Sequence, residues 1–235
     1  MSTVRNPSRL IIAVALVLAV VVVLLAWWFT TADPSDDGAS SNDPTASQVD
    51  ETARSDASPT ALAEPDLSDV QWTYDSGRVY PFSETAGPVE WSEGQPAAGF
   101  AHSPDGAILA AFHICTRTGP PFSPETRLAT IDDQMTEGPS RDSFRTTVEN
   151  SLGNPYEEPE DVPVISGYIV HFYSDAGALV EIAVTQGELD AAFMLEVEWD
   201  EVQEDWRLHP PANGEDWQEE FRQVPTLEAF TAWGP

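Results

Sequence analysis

The longest apolar stretch of the chain lies close to its start. Residues 10–29 are twenty consecutive apolar positions without a charge, a Gly or a Pro, and they follow Arg5 and Arg9. At about 1.5 Å of rise per residue, a helix of this length crosses the roughly 30 Å hydrocarbon core of a bilayer. A Trp pair at its end falls at the outer interface, and the arginines favour a cytoplasmic N-terminus. The pattern predicts a cytoplasmic tail at 1–9, a transmembrane helix at 10–29 and export of the remaining chain.

A cleaved signal peptide is the alternative for the same residues. Signal peptides have a shorter apolar core of about 7 to 15 residues, which ends in small residues at the cleavage site. The run in this chain is longer, and no Cys directly follows it to accept a lipid, although Thr30, Thr31 and Ala32 are small enough for cleavage. We therefore expect an uncleaved anchor.

Residues 30–69 differ sharply in composition from the run before them. They are rich in Asp, Ser, Thr, Ala and Pro and contain no aromatic residue. Such a segment cannot bury enough apolar surface to fold, and its like charges and prolines favour an extended chain. The sequence predicts a disordered acidic stalk that carries a folded domain at 70–235.

The domain opens with a stretch at 70–91 whose alternating aromatic residues predict extended structure. Helical signals dominate the rest of its first half. Ser103 is a good N-cap, Pro104 suits the first helical turn, and a Gly-Pro pair after residue 118 supplies a stop. Helical spacing predicts one buried stripe formed by Ile108, Ala111, Phe112 and Cys115. Two more helices are predicted, from Ser123-Pro124 to Glu137 and from Ser140 to about Asn150.

Beyond residue 163 the hydrophobic period changes to two. Strands are predicted at 164–173, 178–185 and 192–200, and a fourth contains Trp206 and Leu208. In the third strand, apolar residues alternate with Met194 and three acids, so one face is buried and the other is wet. Helices followed by an antiparallel meander indicate an α+β fold in which the helices pack on one face of the sheet.

The aromatic residues of the C-terminal segment permit two interpretations. Trp217, Phe221 and Trp233 follow the last predicted strand. We expect this segment to pack back on the domain. Aromatic residues also anchor interfaces, so the three are candidates for binding a partner.

Charge and cysteine content exclude several classes of site. The chain has no Lys, and two of its ten Arg, Arg5 and Arg9, precede the exported part. The exported part therefore carries 40 carboxylates and eight Arg, which gives a net charge of −32. Phosphate binding depends on clustered Lys and Arg, so direct binding of nucleic acid is not expected. The single Cys115 excludes an internal disulfide and a metal site built on several cysteines.

We expect no catalytic, cofactor or metal site. The four histidines lie on different predicted elements, and no nucleophile-elbow, zinc-protease or phosphate-loop pattern occurs. The acidic clusters lack the spacing of a calcium loop and are expected to form solvated surface. His171 and Tyr173 share one face of a predicted strand and are candidates for lining a pocket. An ordinary packed or edge histidine is the alternative for His171.

The order of helices and four strands, closing on Trp199 and the segment 205–208, resembles the cone-shaped fold of ketosteroid isomerase and nuclear transport factor two. With a tail, one membrane helix and a stalk in front, the chain is similar to bitopic scaffold components of conjugation and type IV secretion systems. The stretch GFAHSPDGA at 99–107 also resembles one in membrane proteins of actinobacterial mobile elements. One departure is Glu204, which occupies a tight-turn position that often carries Gly.

These features predict a non-enzymatic, single-pass membrane protein that acts as a scaffold or assembly subunit of a cell-envelope machine. The resemblance implies conjugative transfer, with other envelope proteins as partners. The alternative is an envelope ligand-binding or sensory domain that uses the pocket of the cone fold. Ketosteroid isomerases use an Asp base in that pocket, but here no Asp lies inside an apolar strand at a matching place. The pattern does not determine the oligomeric state.

Overall fold

The computed structural model describes residues 64–235 except positions 76, 93, 94, 158, 213, 215 and 216. These residues belong to one compact unit, Ser58–Pro235. The predicted tail, the predicted transmembrane helix and most of the predicted stalk lie outside the described residues. Within the described part of the chain, no helix is both long and apolar enough to cross a membrane.

Folded structure reaches a few residues into the predicted stalk. Leu67 packs against the hydrophobic core. The Asp69 carboxylate accepts hydrogen bonds from the hydroxyls of Ser83 at 2.7 Å and Thr85 at 2.9 Å, and these bonds lower its pKa. The ordered domain therefore begins before residue 70.

Two antiparallel strands open the domain, β1 at Gln71–Asp75 and β2 at Arg78–Phe82. They confirm the extended structure predicted for this stretch. Three helices follow: α1 at Pro104–Arg117, α2 at Pro124–Gln134 and α3 at Pro139–Ser151.

Serine caps begin the first two helices, and the cap at Ser103 was predicted. Ser103 Oγ accepts a hydrogen bond from the Gly106 amide at 3.1 Å, and Ser123 Oγ accepts one from the Thr126 amide at 3.2 Å. Each cap satisfies an amide that has no partner inside its helix. Helix α2 ends earlier than predicted, because the backbone of Met135 is extended and bridges to Leu208 in the main sheet.

The second half of the domain is an antiparallel sheet, which confirms the α+β class. Its main strands are β3 at Val164–Ser174, β4 at Gly177–Gln186, β5 at Leu189–Asp200 and β6 at Asp205–Leu208. Two short strands complete it, β7 at Arg222–Gln223 and β8 at Thr231–Ala232. The order is β6-β5-β4-β3-β8, and β7 also pairs with β5.

Helix α1 lies at the centre of the domain. The predicted stripe is buried, with Ile108 and Ala111 at 0% and Phe112 and Cys115 at 6% exposure. The residues between them are buried too, because α1 contacts β2, α2 and three strands of the main sheet. The prediction of a single stripe was therefore too narrow. A helix that is apolar all round is typical of a domain interior.

The C-terminal segment 217–235, which we call the belt, wraps the sheet. Its β7 pairs with β5 at one edge, and its β8 pairs with β3 at the other. Between these strands, Val224 packs on Ala183 and Ala192 on the face opposite α1. Gly167 permits this close approach, since a Cβ there would lie 2.9 Å from Phe230 Cβ. The belt thus packs back on the domain, as predicted.

One carboxylate is buried beneath the belt. Glu181 points away from α1, as the alternation in β4 predicts, yet it is only 2% exposed. Its carboxylate accepts hydrogen bonds from Arg222 of the belt and, at 2.8 Å, pairs with His171 Nε2. A buried charge needs such partners, so this cluster fixes the belt to the sheet.

Candidate functional site

An apolar cavity of about 420 Å³ opens between the β1–β2 hairpin, the C-terminal end of α1 and one end of the main sheet. Cavities that hold small molecules in proteins have volumes of about 300–1,000 Å³. The buried side chains of its wall come from the hairpin, α1, the sheet and the belt: Tyr80, Phe112, Cys115, Ile165, Phe193 and Trp217. The site is therefore assembled from distant parts of the chain.

The opening of the cavity carries exposed apolar side chains. Tyr74 is 72% exposed and Phe221 is 40% exposed, and both line the cavity. Val79 and Val164 are exposed beside them. Grouped exposed apolar side chains are typical of surfaces that bind ligands or other proteins.

Arg78 is the only charged side chain among the described residues that line the cavity. Its Nη2 donates a hydrogen bond to the Tyr156 hydroxyl at 2.7 Å. Its Nε is buried and has no hydrogen-bond partner. The guanidinium is thus held in place while part of its donor capacity is unused.

The two residues predicted to line a pocket do not share a face of the sheet. A β-bulge between Val170 and Phe172 inserts one residue into β3. Residues two apart across the bulge therefore no longer point to the same face of the sheet. His171 reaches Glu181 on the belt side, whereas Tyr173 packs on the core, with its ring 6.2 Å from that of Trp206. Neither residue lines the apolar cavity.

The three predicted partner-binding aromatics have different surroundings. Trp217 and Trp233 are each 8% exposed. The Trp217 indole donates to Thr118 Oγ1 at 3.0 Å, and Trp233 packs its ring 5.3 Å from Trp72. Phe221 rests on Phe193 with ring centroids 4.7 Å apart, but remains half exposed. Partner binding by this set stays a prediction, and Phe221 is the member that a partner can reach.

The stretch 99–107 forms a junction with the start of β6. The Asp205 carboxylate accepts hydrogen bonds from the amides of Gly99 at 2.8 Å and Phe100 at 3.2 Å, and burial raises its pKa. The Trp206 indole donates to the Ala101 carbonyl at 2.9 Å. A Cβ at Gly106 would lie 1.9 Å from the same carbonyl oxygen, so only Gly fits there. This motif therefore positions α1 against the sheet.

Two further residues, His102 and Glu204, belong to this junction. His102, at the start of α1, stacks on Trp199 with ring centroids 3.9 Å apart, which makes it part of the local structure. Glu204 has a φ of 52°, a left-handed conformation that favours Gly. The turn therefore has the geometry of a tight-turn position that often carries Gly.

His113 is a buried titratable group beside the cavity wall. It is 0% exposed, and its Nε2 lies 2.7 Å from the Pro81 carbonyl oxygen. Burial lowers its pKa to about 3, and the charge of Arg117 acts in the same direction. The imidazole is therefore neutral at pH 7 and donates to Pro81 as a structural group.

A second, polar groove of about 790 Å³ lies on the belt side of the sheet. Its described lining includes five carboxylates and two arginines, together with the exposed Met194. The carboxylates are Glu137, Glu196, Glu198, Asp200 and Glu220. Among the residues that the structure describes, no group of three or more His, Cys, Asp or Glu is arranged to hold a metal ion.

Fold and cavity together define an α+β domain with an internal apolar cavity. The chain belongs to the family described as "Domain of unknown function (DUF8175)", whose model matches residues 31–232. No curated protein and no solved structure gives a significant match.

Sequence reasoning did not predict this cavity. Its wall combines residues as distant in sequence as Trp72 and Phe193, and no local pattern brings them together. Arg78 offered one local signal, because it directly precedes the apolar and aromatic segment Val79-Tyr80-Pro81-Phe82 in a chain with only 10 basic residues.

Proposed function

We propose that the exported domain is an envelope ligand-binding domain that takes an apolar group into the cavity between the hairpin, α1 and the sheet. The observation that carries this proposal is the apolar wall of the cavity together with its exposed apolar rim. Helices and a bulged sheet that enclose a cavity also support the resemblance to the cone fold. The chain is then a binding protein rather than an enzyme.

The size of the cavity is consistent with useful affinity. Each CH₂ group moved from water into an apolar site contributes about 0.8 kcal/mol. A chain of about ten such groups gains roughly 8 kcal/mol before the entropic costs of association are subtracted. Because 1 μM corresponds to about 8 kcal/mol, dissociation constants weaker than about 1 μM are expected for single-chain apolar ligands of this length.

The test uses residues 31–235, which contain the whole compact unit and its core. We expect the uncharged fluorophore N-phenyl-1-naphthylamine to bind saturably with one site per chain. Val184→Trp fills the cavity from β4 and should remove this binding. Met194→Trp adds the same side chain on the opposite face, where Met194 is 44% exposed, and should leave it unchanged.

Thermal unfolding of both variants shows whether each one is folded. The absence of saturable binding to the unmodified domain would refute the proposal. Equal binding by two folded variants would also refute it, because the fluorophore would then bind outside the cavity.

A second candidate is the scaffold role predicted from the sequence, in an envelope machine for conjugative transfer. The acidic groove on the belt side favours it, because five carboxylates facing two arginines suit a positively charged partner. Genes for a transfer ATPase and a relaxase beside this one would favour the scaffold, and a lone gene would favour the ligand-binding domain.

Both candidates place the domain outside the cell membrane on the anchor at 10–29. We expect the full chain to stay with membranes through carbonate and high-salt washing, because a spanning helix is held by the bilayer core rather than by charge. Immunoblotting of the washed fractions measures this. A mature N-terminus near Ala32 in a soluble fraction would show that the segment is a cleaved signal peptide instead.

A further inference from the structure

We propose that the ligand of the cavity is a single-chain amphiphile with a carboxylate head, and that Arg78 binds this head at the opening. The inference rests on the proposed ligand-binding function and adds the chemical class of the ligand.

The charge distribution around the cavity is the first argument. Asp and Glu make up 40 of the 235 residues, yet none of the described lining side chains is acidic, and that of Arg78 is the only charged one among them. A cavity for a purely apolar ligand has no need of a guanidinium. A cavity for a cationic amphiphile would place a carboxylate there instead.

The state of the guanidinium is the second argument. Arg78 is half-buried, its Nη2 is oriented by the Tyr156 hydroxyl, and its Nε has no partner. Buried polar groups in native proteins are almost always hydrogen-bonded, so a donor that lacks a partner calls for an explanation. The planar fork of Arg matches the two oxygens of a carboxylate. A head group at the opening can accept hydrogen bonds from the accessible part of this half-buried guanidinium.

The position of Arg78 relative to the buried apolar wall is the third argument. Arg78 lies in the hairpin beside the exposed rim residues Tyr74 and Val79, whereas the buried wall is formed by Phe112 and Phe193. A ligand that enters with its apolar tail first leaves its head at the hairpin. The volume of about 420 Å³ suits one alkyl chain better than the two chains of a phospholipid.

Displacement of N-phenyl-1-naphthylamine from residues 31–235 tests the proposal with three ligands of equal chain length. We expect dodecanoate to bind about tenfold more tightly than dodecanol, because a hydrogen bond to a charged group contributes enough free energy for one decade of affinity. Dodecyltrimethylammonium should bind more weakly than either.

Arg78→Met removes the charge and keeps most of the apolar side chain. In this variant, the roughly tenfold preference for dodecanoate over dodecanol should disappear, because the carboxylate head loses its charged partner while both tails enter the same cavity. The fluorophore also shows that the variant is folded.

The outcomes separate the two proposals. If the fluorophore and all three ligands fail to bind, the cavity is not a ligand site and the proposed function fails. If dodecanol and dodecanoate bind equally and Arg78→Met changes neither, the cavity binds ligands but the head-group assignment is wrong.

Discussion

Replacing Phe112 with Ala is expected to lower the free energy of unfolding by about 3–5 kcal/mol, as large-to-small changes in a core do. Phe112 is 6% exposed, and its ring lies 6.0 Å from Tyr80 and 6.3 Å from Trp233. Its ring also forms part of the cavity wall. The space left by the ring would join the existing cavity, so neighbouring side chains could not close it. Urea unfolding of residues 31–235 measures the loss.

Glu198→Gln is the matched surface control. Glu198 lies on the wet face of β5, 49% exposed, and pairs with His209 at 3.3 Å. Exposed pairs of this kind contribute little, so the change should cost less than about 0.5 kcal/mol. Equal unfolding midpoints for the two variants would show that α1 is not packed at the centre of the domain.

Acidification is expected to destabilise the domain through His113, by an amount on the order of 5 kcal/mol between its two titration points. The unfolded chain binds a proton on this histidine near its ordinary pKa of 6.5, whereas burial lowers the pKa in the folded domain to about 3. The stability contribution is therefore fully present above pH 6.5 and is lost as the pH falls. About 2 kcal/mol of it should disappear between pH 6.5 and roughly pH 4.5.

His113→Gln isolates this effect, because Gln does not titrate and its amide can still donate to the Pro81 carbonyl. Burial raises the pKa of Asp105 and of Asp205, but both carboxyls are present in both proteins and cancel in the difference. The variant should lose much less stability between pH 6.5 and about pH 4.5. The same pH dependence in both proteins would mean that His113 is accessible to protons in the folded state.

Local sequence signals predicted the elements well because local physics decides them. Ser103 caps its helix as expected, and the alternation of Phe193, Leu195 and Val197 with polar residues defines the buried face of β5. The left-handed backbone of Glu204 was also signalled locally, because this residue occupies a tight-turn position that often carries Gly. These features depend on residues that are close in sequence.

The predictions that changed depend on contacts between distant residues. His171 and Tyr173 were expected to share a strand face, but a β-bulge in β3 separates them, and the acceptor that binds His171 is Glu181 on the next strand. Helix α1 was expected to bury one stripe, but its packing is set by the hairpin, α2 and the sheet together. The cavity itself arises where the hairpin and the belt close over the end of the sheet, which no short segment encodes.

A crystal structure of residues 31–235 grown with 12-bromododecanoate tests the central claim most directly. The ligand-binding account predicts one bromine anomalous peak inside the cavity between Phe112, Cys115 and Phe193, with the carboxylate at Arg78. An empty cavity, or bromine peaks only on the outer surface of the domain, would contradict it.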